Sequence, residues 1–483
     1  MSVFLSMIKF LLVAALALLA AIFVVRAIQA MRGPSLELWH THVPDEPSPG
    51  QIDNMDWKAW IARENATFAD VKAEVTDKLP ESQHRPQNRY WQGAPMNPAN
   101  LAHDWNRSFE LKPAGEPAGV AVLLHGLTDA PYSLRHVGLH YQSRGWAVVA
   151  IRMPGHGTVP AGLTKASVEQ WEAATRLAMR EAMRVAPGKP IHMVGYSNGG
   201  ALAVGHALDA LGNPALGQPQ RIVLVSPMIG LTRFARYTGL AGMPAIFPAF
   251  VNAAWLDVIP EYNPFKYNSF PVRAGAEAHR LTQVLGARIE KARSDGSIAR
   301  MPPVLAFQSA VDSTVSAPAV VAGLFDHLPA NGSELVLFDI NRAAYVGPLV
   351  RASAKDALDG LLPRSPRRYG IRVITNASAG SMETVARSFP AGATGSTDTP
   401  LTIPYRRDFF SLGHVALPFP LSDGLYGANP DPADVQGVAL GALASRGENG
   451  VLSISPAALS RVSSNPFFPW VLEQIDATLA PAQ

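Results

Sequence analysis

Gly195-Tyr196-Ser197-Asn198-Gly199 sets one serine between two glycines, after the apolar run Ile191–Val194 and before a helix rich in small residues. That spacing suits a nucleophile. A sharp strand-to-helix turn would hold Ser197 in a strained conformation with its Oγ exposed. Glycine is needed at 195 and 199 because a side chain there would strike the neighbouring strand or helix. The N–H of Asn198, the residue after the nucleophile, would point to where a tetrahedral oxyanion forms. The expected chemistry is acyl transfer through a covalent serine ester. The same five letters also occur as an incidental Ser-Gly turn, so the reading depends on the elements around them.

Those elements are regular from about Ser108 onward. Short apolar runs at Val120–Leu124, Ala147–Ile151, Ile191–Val194, Ile222–Val225, Val304–Phe307 and Leu335–Phe338 alternate with helical stretches such as Ala166–Val185. Runs of this kind, apolar on both faces, predict an α/β fold with a mostly parallel sheet flanked by helices. Two long segments break the alternation. Residues 231–301 carry aromatic and aliphatic positions with several prolines and are expected to form a helical cap. Residues 341–401 are expected to be a second insertion with structure of its own, including the strand-like run Ile371–Ile374, because a structureless loop of that length is unusual. Pro466–Leu479 reads as a closing helix, with Asn465 as its cap.

Three stretches resemble a known family. They are His125-Gly126-Leu127 after the first run, Pro154-Gly155-His156-Gly157 after the second, and the serine turn. Together they look like the α/β-hydrolases of the monoacylglycerol lipase, bacterial carboxylesterase and serine-aminopeptidase-like group. The resemblance implies a second oxyanion N–H on Leu127 and the order Ser, then acid, then His. His206, His279, His327 and His414 follow Ser197. Only His414, in Ser411-Leu412-Gly413-His414-Val415, comes late and in a loop, with His327 as its competitor. Asp312, just past the Val304 strand where family acids lie, is the expected acid, with Asp339 as the rival. The implied catalytic set is therefore Ser197, Asp312 and His414, with Leu127 and Asn198 lining the oxyanion hole. His156 is read as structural. A serine nucleophile argues against the dehalogenase and epoxide-hydrolase branches, which use Asp.

Composition bounds the remainder. The chain has 483 residues, 48% hydrophobic and 16% charged, enough for a large core. A formal charge of +3 and the absence of basic runs with interleaved aromatics give no reason to expect nucleic acid. Without cysteine there is no disulfide, thiolate metal site or lipid-modified cysteine. His40 and His42 lack the carboxylates of a metal site, and Gly155 and Gly157 lack a dinucleotide fingerprint, so no cofactor is expected. The apolar run Phe10–Val25 with its flank reaches the ~20 residues that cross a bilayer.

The expected organisation is an anchor or signal segment over 1–30, a linker and helical extension over 31–107, and the hydrolase domain over 108–483. Within the extension, Pro44, Pro47 and Pro49 mark a linker, and Asp56–Lys78 an amphipathic helix. The short N-terminal tail favours export, so the expected location is the bacterial inner membrane with the domain in the periplasm, or a cleaved secreted form. The expected function is hydrolysis of a lipid-like or aromatic carboxylic ester. The alternatives are an aminopeptidase-like enzyme, which would need a cap carboxylate such as Glu261 or Glu277, and a catalytically idle membrane-bound binding or scaffold protein.

Overall fold

The structure, a computed structural model, describes residues 2–230, 248–362, 366–442 and 463–479. Ten strands form one sheet in the order β1-β3-β2-β4-β5-β8-β9-β10-β11-β12. They are β1 (Phe109–Leu111), β2 (Val120–Leu124), β3 (Ala147–Ile151), β4 (Ile191–Tyr196), β5 (Arg221–Val225), β8 (Val304–Ser309), β9 (Glu334–Phe338), β10 (Gly370–Asn376), β11 (Thr384–Phe389) and β12 (Thr397–Leu401). From β3 through β10 the neighbours run parallel; β1, β11 and β12 are antiparallel additions at the two edges. A separate two-stranded ladder pairs β6 (Trp255–Asp257) with β7 (Phe270–Pro271).

Alternation along the strands explains the two cores. Val120, Val122 and Leu124 face one side, where the helices Val168–Val185, Asn198–Gly212 and Val272–Ser294 supply Trp171, Leu202 and Leu281. Ala121 and Leu123 face the other side, against Tyr141, Trp146 and the closing helix Phe468–Asp476 with Val471 and Ile475. Every residue of β2, β3 and β4 is buried, as a sheet covered on both faces requires. The closing helix starts slightly later than expected. Asn465 Oδ1 takes the Phe467 N–H at 2.9 Å, and helical backbone begins at Phe468.

Three parts differ from expectation. First, residues 341–401 extend the main sheet: after the short helical turns Gly347–Leu349, Ala352–Lys355 and Ala357–Leu361 they add three strands to it. β10 pairs with β9 in parallel, and β11 and β12 follow as a meander. Ile371 and Val373 enter one core and Ile374 the other, so β10 must lie within the sheet. The outer strand, Thr397–Leu401, is polar and ends in Pro400-Leu401, a composition that blunts an edge.

Second, the cap segment is mixed. Its positions 231–247 lie outside the described residues. The helix Val272–Ser294 packs against the helix Asn198–Gly212 on the sheet face and buries Leu281, Leu285 and Ile289, so it is a core helix. Its apolar stripe is satisfied by that face.

Third, the proline-rich stretch is docked. Both oxygens of Glu46 pair with the buried Arg152, at 2.6 and 3.0 Å. Glu46 also accepts the Gly155 N–H at 2.9 Å. The helix Trp57–Val71 adds Glu64, which binds Arg152 Nε at 3.0 Å, and Trp60, which is fully buried. A guanidinium taken out of water needs such partners, and the extension brings both.

The helix Ser2–Arg32 contains Phe4–Val25, 22 residues long and apolar enough to cross a membrane. It touches the turn Pro248–Ala254, and Asn252 Nδ2 donates to the Pro34 carbonyl at 3.1 Å.

Candidate active site

Ser197 sits between β4 and the helix Asn198–Gly212 with φ 51° and ψ −113°. That is a costly conformation for a residue with a Cβ. Packing enforces it. A Cβ at Gly195 would lie 2.4 Å from the Gly199 carbonyl oxygen, and one at Gly199 only 1.9 Å from that of Leu124. Among the described residues, Thr128, Ser197 and Ser226 are the non-glycine positions with positive φ. They follow β2, β4 and β5, so the strain gathers at adjacent strand ends. This is the crevice where the strand order reverses around β2, the usual place for a ligand in an open α/β sheet.

The His125-Gly126-Leu127 loop lies against the serine turn. A Cβ on Gly126 would be 3.3 Å from the Ser197 Cβ. His125 is buried and ties this loop to the next one. Its Nδ1 lies 2.9 Å from the Gly126 carbonyl, and its Nε2 takes the Met153 N–H at 3.0 Å. Burial lowers its pKa to about 4, so it stays neutral and structural at pH 7. His156 is likewise buried and its pKa is lowered by burial, and Nδ1 lies 3.1 Å from the Pro154 carbonyl. Leu127 is half-buried beside Gly126. Asn198 opens the helix, with both side-chain polar atoms buried and unpartnered.

Asp312 and His414 meet, although four strands separate them in sequence. His414 Nδ1 is 2.9 Å from Asp312 Oδ2. A carboxylate only accepts, so Nδ1 carries the proton and Nε2 is left as the basic nitrogen. The Asp312 side chain is fully buried. Burial alone would raise its pKa. The charge and hydrogen bond of His414 and the N–H groups of Thr314 and Val315 outweigh burial and hold it below the usual value. The His414 ring packs 5.4 Å from that of Tyr196, the residue before Ser197. The Tyr196 hydroxyl also reaches the His414 carbonyl at 3.4 Å.

The competitors are engaged elsewhere. Asp339 takes Thr375 Oγ1 at 2.9 Å and pairs with Arg342. His327 closes a short turn, Phe325–His327. His206 binds the Gly217 carbonyl, and His279 binds Gln283.

Sequence reasoning missed Asp129 and Gln308. Asp129 is buried in the loop after Leu127, and burial raises its pKa to about 6 against the opposing influence of Lys266 and His414. Gln308 lies in β8 with its Nε2 on Asp312. A polar residue continuing the apolar run Val304–Phe307 was the available signal for it. Tyr132, Phe265, Phe419 and Tyr426 form an aromatic cluster joining the segment after β2, the β6–β7 region and the chain after His414. His136, Asp423 and Asp434 come close enough to suggest a metal. However, the Arg135 guanidinium already pairs with both carboxylates, so a cation there would face a fixed positive charge.

A family model described as "Serine aminopeptidase, S33" matches residues 115–340. That span, with this sheet and serine turn, is similar to the S33 family of α/β-hydrolases. No curated protein matches it. Similar solved structures include the metagenome-derived lipolytic enzymes LipS and LipT, at 21% identity over 50% of this chain and 89% of that one, TM-score 0.39. A soluble variant of monoglyceride lipase from Saccharomyces cerevisiae with a substrate analogue is 15% identical over 48% and 81%, TM-score 0.38. Est1E from Butyrivibrio proteoclasticus with ferulic acid is 18% identical over 53% and 94%, TM-score 0.35.

Proposed function

We propose that this chain is a membrane-anchored serine hydrolase that cleaves carboxylic esters. The observation that carries the reading is the 2.9 Å contact of His414 with the buried Asp312, in the same crevice as the strained Ser197. In this reading His414 Nε2 takes the Ser197 proton as Oγ attacks the acyl carbon. The N–H groups of Leu127 and Asn198 receive the oxyanion. Protonated His414, steadied by Asp312, gives its proton to the leaving alcohol, and the same groups then activate water to release the acid. These steps use only protein groups.

The similarity to a serine-aminopeptidase family raises the peptidase reading. An aminopeptidase needs a carboxylate free to bind the substrate ammonium, and the two expected glutamates are occupied. Glu261 accepts the N–H groups of Asn268 and Ser269 at 3.0 and 2.7 Å. Glu277 accepts the Val168 N–H and pairs with Arg273 and Arg280. This favours the ester. An idle scaffold would have no need to keep strain at Ser197, so the third reading is the weakest.

We read Phe4–Val25 as an uncleaved anchor, with the catalytic domain on the periplasmic side and apolar, lipid-like esters as substrates. A fluorophosphonate probe should label the wild type and leave Ser197→Ala unlabelled. A panel of p-nitrophenyl esters of rising chain length should be hydrolysed, and aminoacyl anilides left intact. Faster cleavage of the anilides would overturn the ester reading. A reporter fused at Gln483 that works only in the cytoplasm should be silent.

A further inference from the structure

We propose that Gln308 is a positioning residue for the acid of the triad, and that Ser226 orients Gln308 in turn. This rests on the reading of Asp312 and His414 given above.

Gln308 lies near the end of β8 and is fully buried. Its Nε2 donates to Asp312 Oδ2 at 3.0 Å, the same oxygen that faces His414 Nδ1 at 2.9 Å. The other oxygen, Oδ1, takes the N–H groups of Thr314 and Val315 at 2.8 and 3.1 Å. Each carboxylate oxygen thus receives two donors. The backbone pair fixes one edge of the carboxylate. Gln308 fixes the edge that His414 uses, and so fixes the line along which the imidazole is held. The second contact of Nε2, to the Ser309 carbonyl at 3.3 Å, is longer. Because a carboxylate cannot donate, the amide must face it with its nitrogen, which turns Oε1 away.

That oxygen is buried and has no partner. The Ser226 Oγ is also buried and unpartnered. Val225 pairs with Phe307, and the Ser226 N–H donates to the Phe307 carbonyl at 2.8 Å. The ladder therefore brings Ser226 beside Gln308. One orphan is a hydroxyl donor and the other an amide acceptor. A buried polar atom left bare is costly. No direct bond joins the two, and they complement one another through one buried water. The chain Ser226, Gln308, Asp312, His414 then runs beneath the catalytic crevice, and Ser226 carries positive φ, like Ser197 on the neighbouring strand.

The test uses the detergent-solubilised full chain and p-nitrophenyl butyrate. Gln308→Met keeps the volume and removes the amide. It should lower kcat on the order of 10- to 100-fold, as misplacement near the reacting groups does, with KM within about twofold. Ser226→Ala should lower kcat by a smaller factor, and the double variant should be no slower than Gln308→Met alone, because both act through one contact.

Gln308→Glu supplies a readout that mere packing would not move. When the introduced carboxyl is protonated it can donate to Asp312 Oδ2 in place of the amide. When ionised it repels Asp312. Its rate relative to wild type at the same pH should therefore be near one in acid and fall as pH rises. The charged groups facing it are Asp312 and His414, with Asp129 and Lys266 beyond His414, and these are the same in both proteins. If wild type neither turns over the ester nor labels at Ser197, the site reading fails and this proposal with it. If wild type is active and Gln308→Met keeps kcat within twofold, or the Gln308→Glu ratio is flat with pH, the positioning role is refuted and the triad reading stands. Should Gln308→Met not fold, the Gln308→Glu ratio alone decides.

Discussion

Asn341 Nδ2 donates to the Phe409 carbonyl at 2.6 Å, and the same nitrogen reaches the Arg406 carbonyl at 2.7 Å. Asn341 follows β9, whereas Phe409 precedes His414 after three further strands. The Asn341 N–H adds a bond to the Phe410 carbonyl, and the Tyr405 hydroxyl donates to the Asp339 carbonyl. The detour through β10–β12 therefore returns to the end of β9, close to where it left, and delivers the histidine loop there. Asn341→Leu would remove both bonds, to the exposed Arg406 and the half-buried Phe409, at a cost of about 0.5–1.5 kcal/mol each. Urea unfolding should show that loss, and kcat should fall more than KM rises. An unchanged kcat would mean that the loop is held by other contacts.

His414→Ala should reduce turnover by several orders of magnitude, and adding Ser197→Ala should cost little more, because such groups act as a unit. His327→Ala should stay within a few-fold of wild type. Ester hydrolysis by the four proteins measures this directly, and reversed outcomes for the two histidines would reassign the base.

Glu46→Ala should destabilise the domain although the residue precedes it in the chain. It removes both hydrogen bonds to one end of the Arg152 guanidinium and leaves Glu64 as the only carboxylate on it among the described residues. Breaking one partner of a buried pair costs roughly 3 kcal/mol or more, which urea denaturation resolves. Deleting only residues 1–32 should leave stability unchanged. Equal stability of wild type and Glu46→Ala would show that the extension is not part of the folded unit.

Glu110 on β1 should make stability fall with rising pH. Burial first, and then the hydrogen bond and charge of Glu181, raise its pKa from 4.5 to about 7. The folded state thus retains a proton that the unfolded chain has released between these values. Stability from this group is fully present below pH 4.5 and is lost as pH rises through about 7. Glu110→Gln keeps a donor toward Glu181 at every pH. Its Tm should therefore exceed that of wild type at pH 8 and approach it at pH 5. Parallel Tm curves for the two proteins would contradict the shared proton.

The sequence by itself determined the strands β2, β3, β4, β5, β8 and β9 to within a residue or two, because each is buried on both faces and reads as an unbroken apolar run. It also determined the serine turn, since Gly195 and Gly199 admit no side chain and only one local geometry fits. Asp312 and His414 were legible as loop residues in the right chain order. Their meeting was decided by tertiary structure, which folds β10–β12 onto the sheet edge and ties the returning chain to Asn341. Periodicity reports which face of an element is buried but not what buries it. The stripe on Val272–Ser294 therefore suited a cap as well as a sheet face, and the prolines near Glu46 suited a linker as well as a docked strap. Gln308 and Asp129 escaped notice for the same reason. A polar side chain in a strand or loop acquires its significance from the group placed opposite it, and that partner lies far away in the chain.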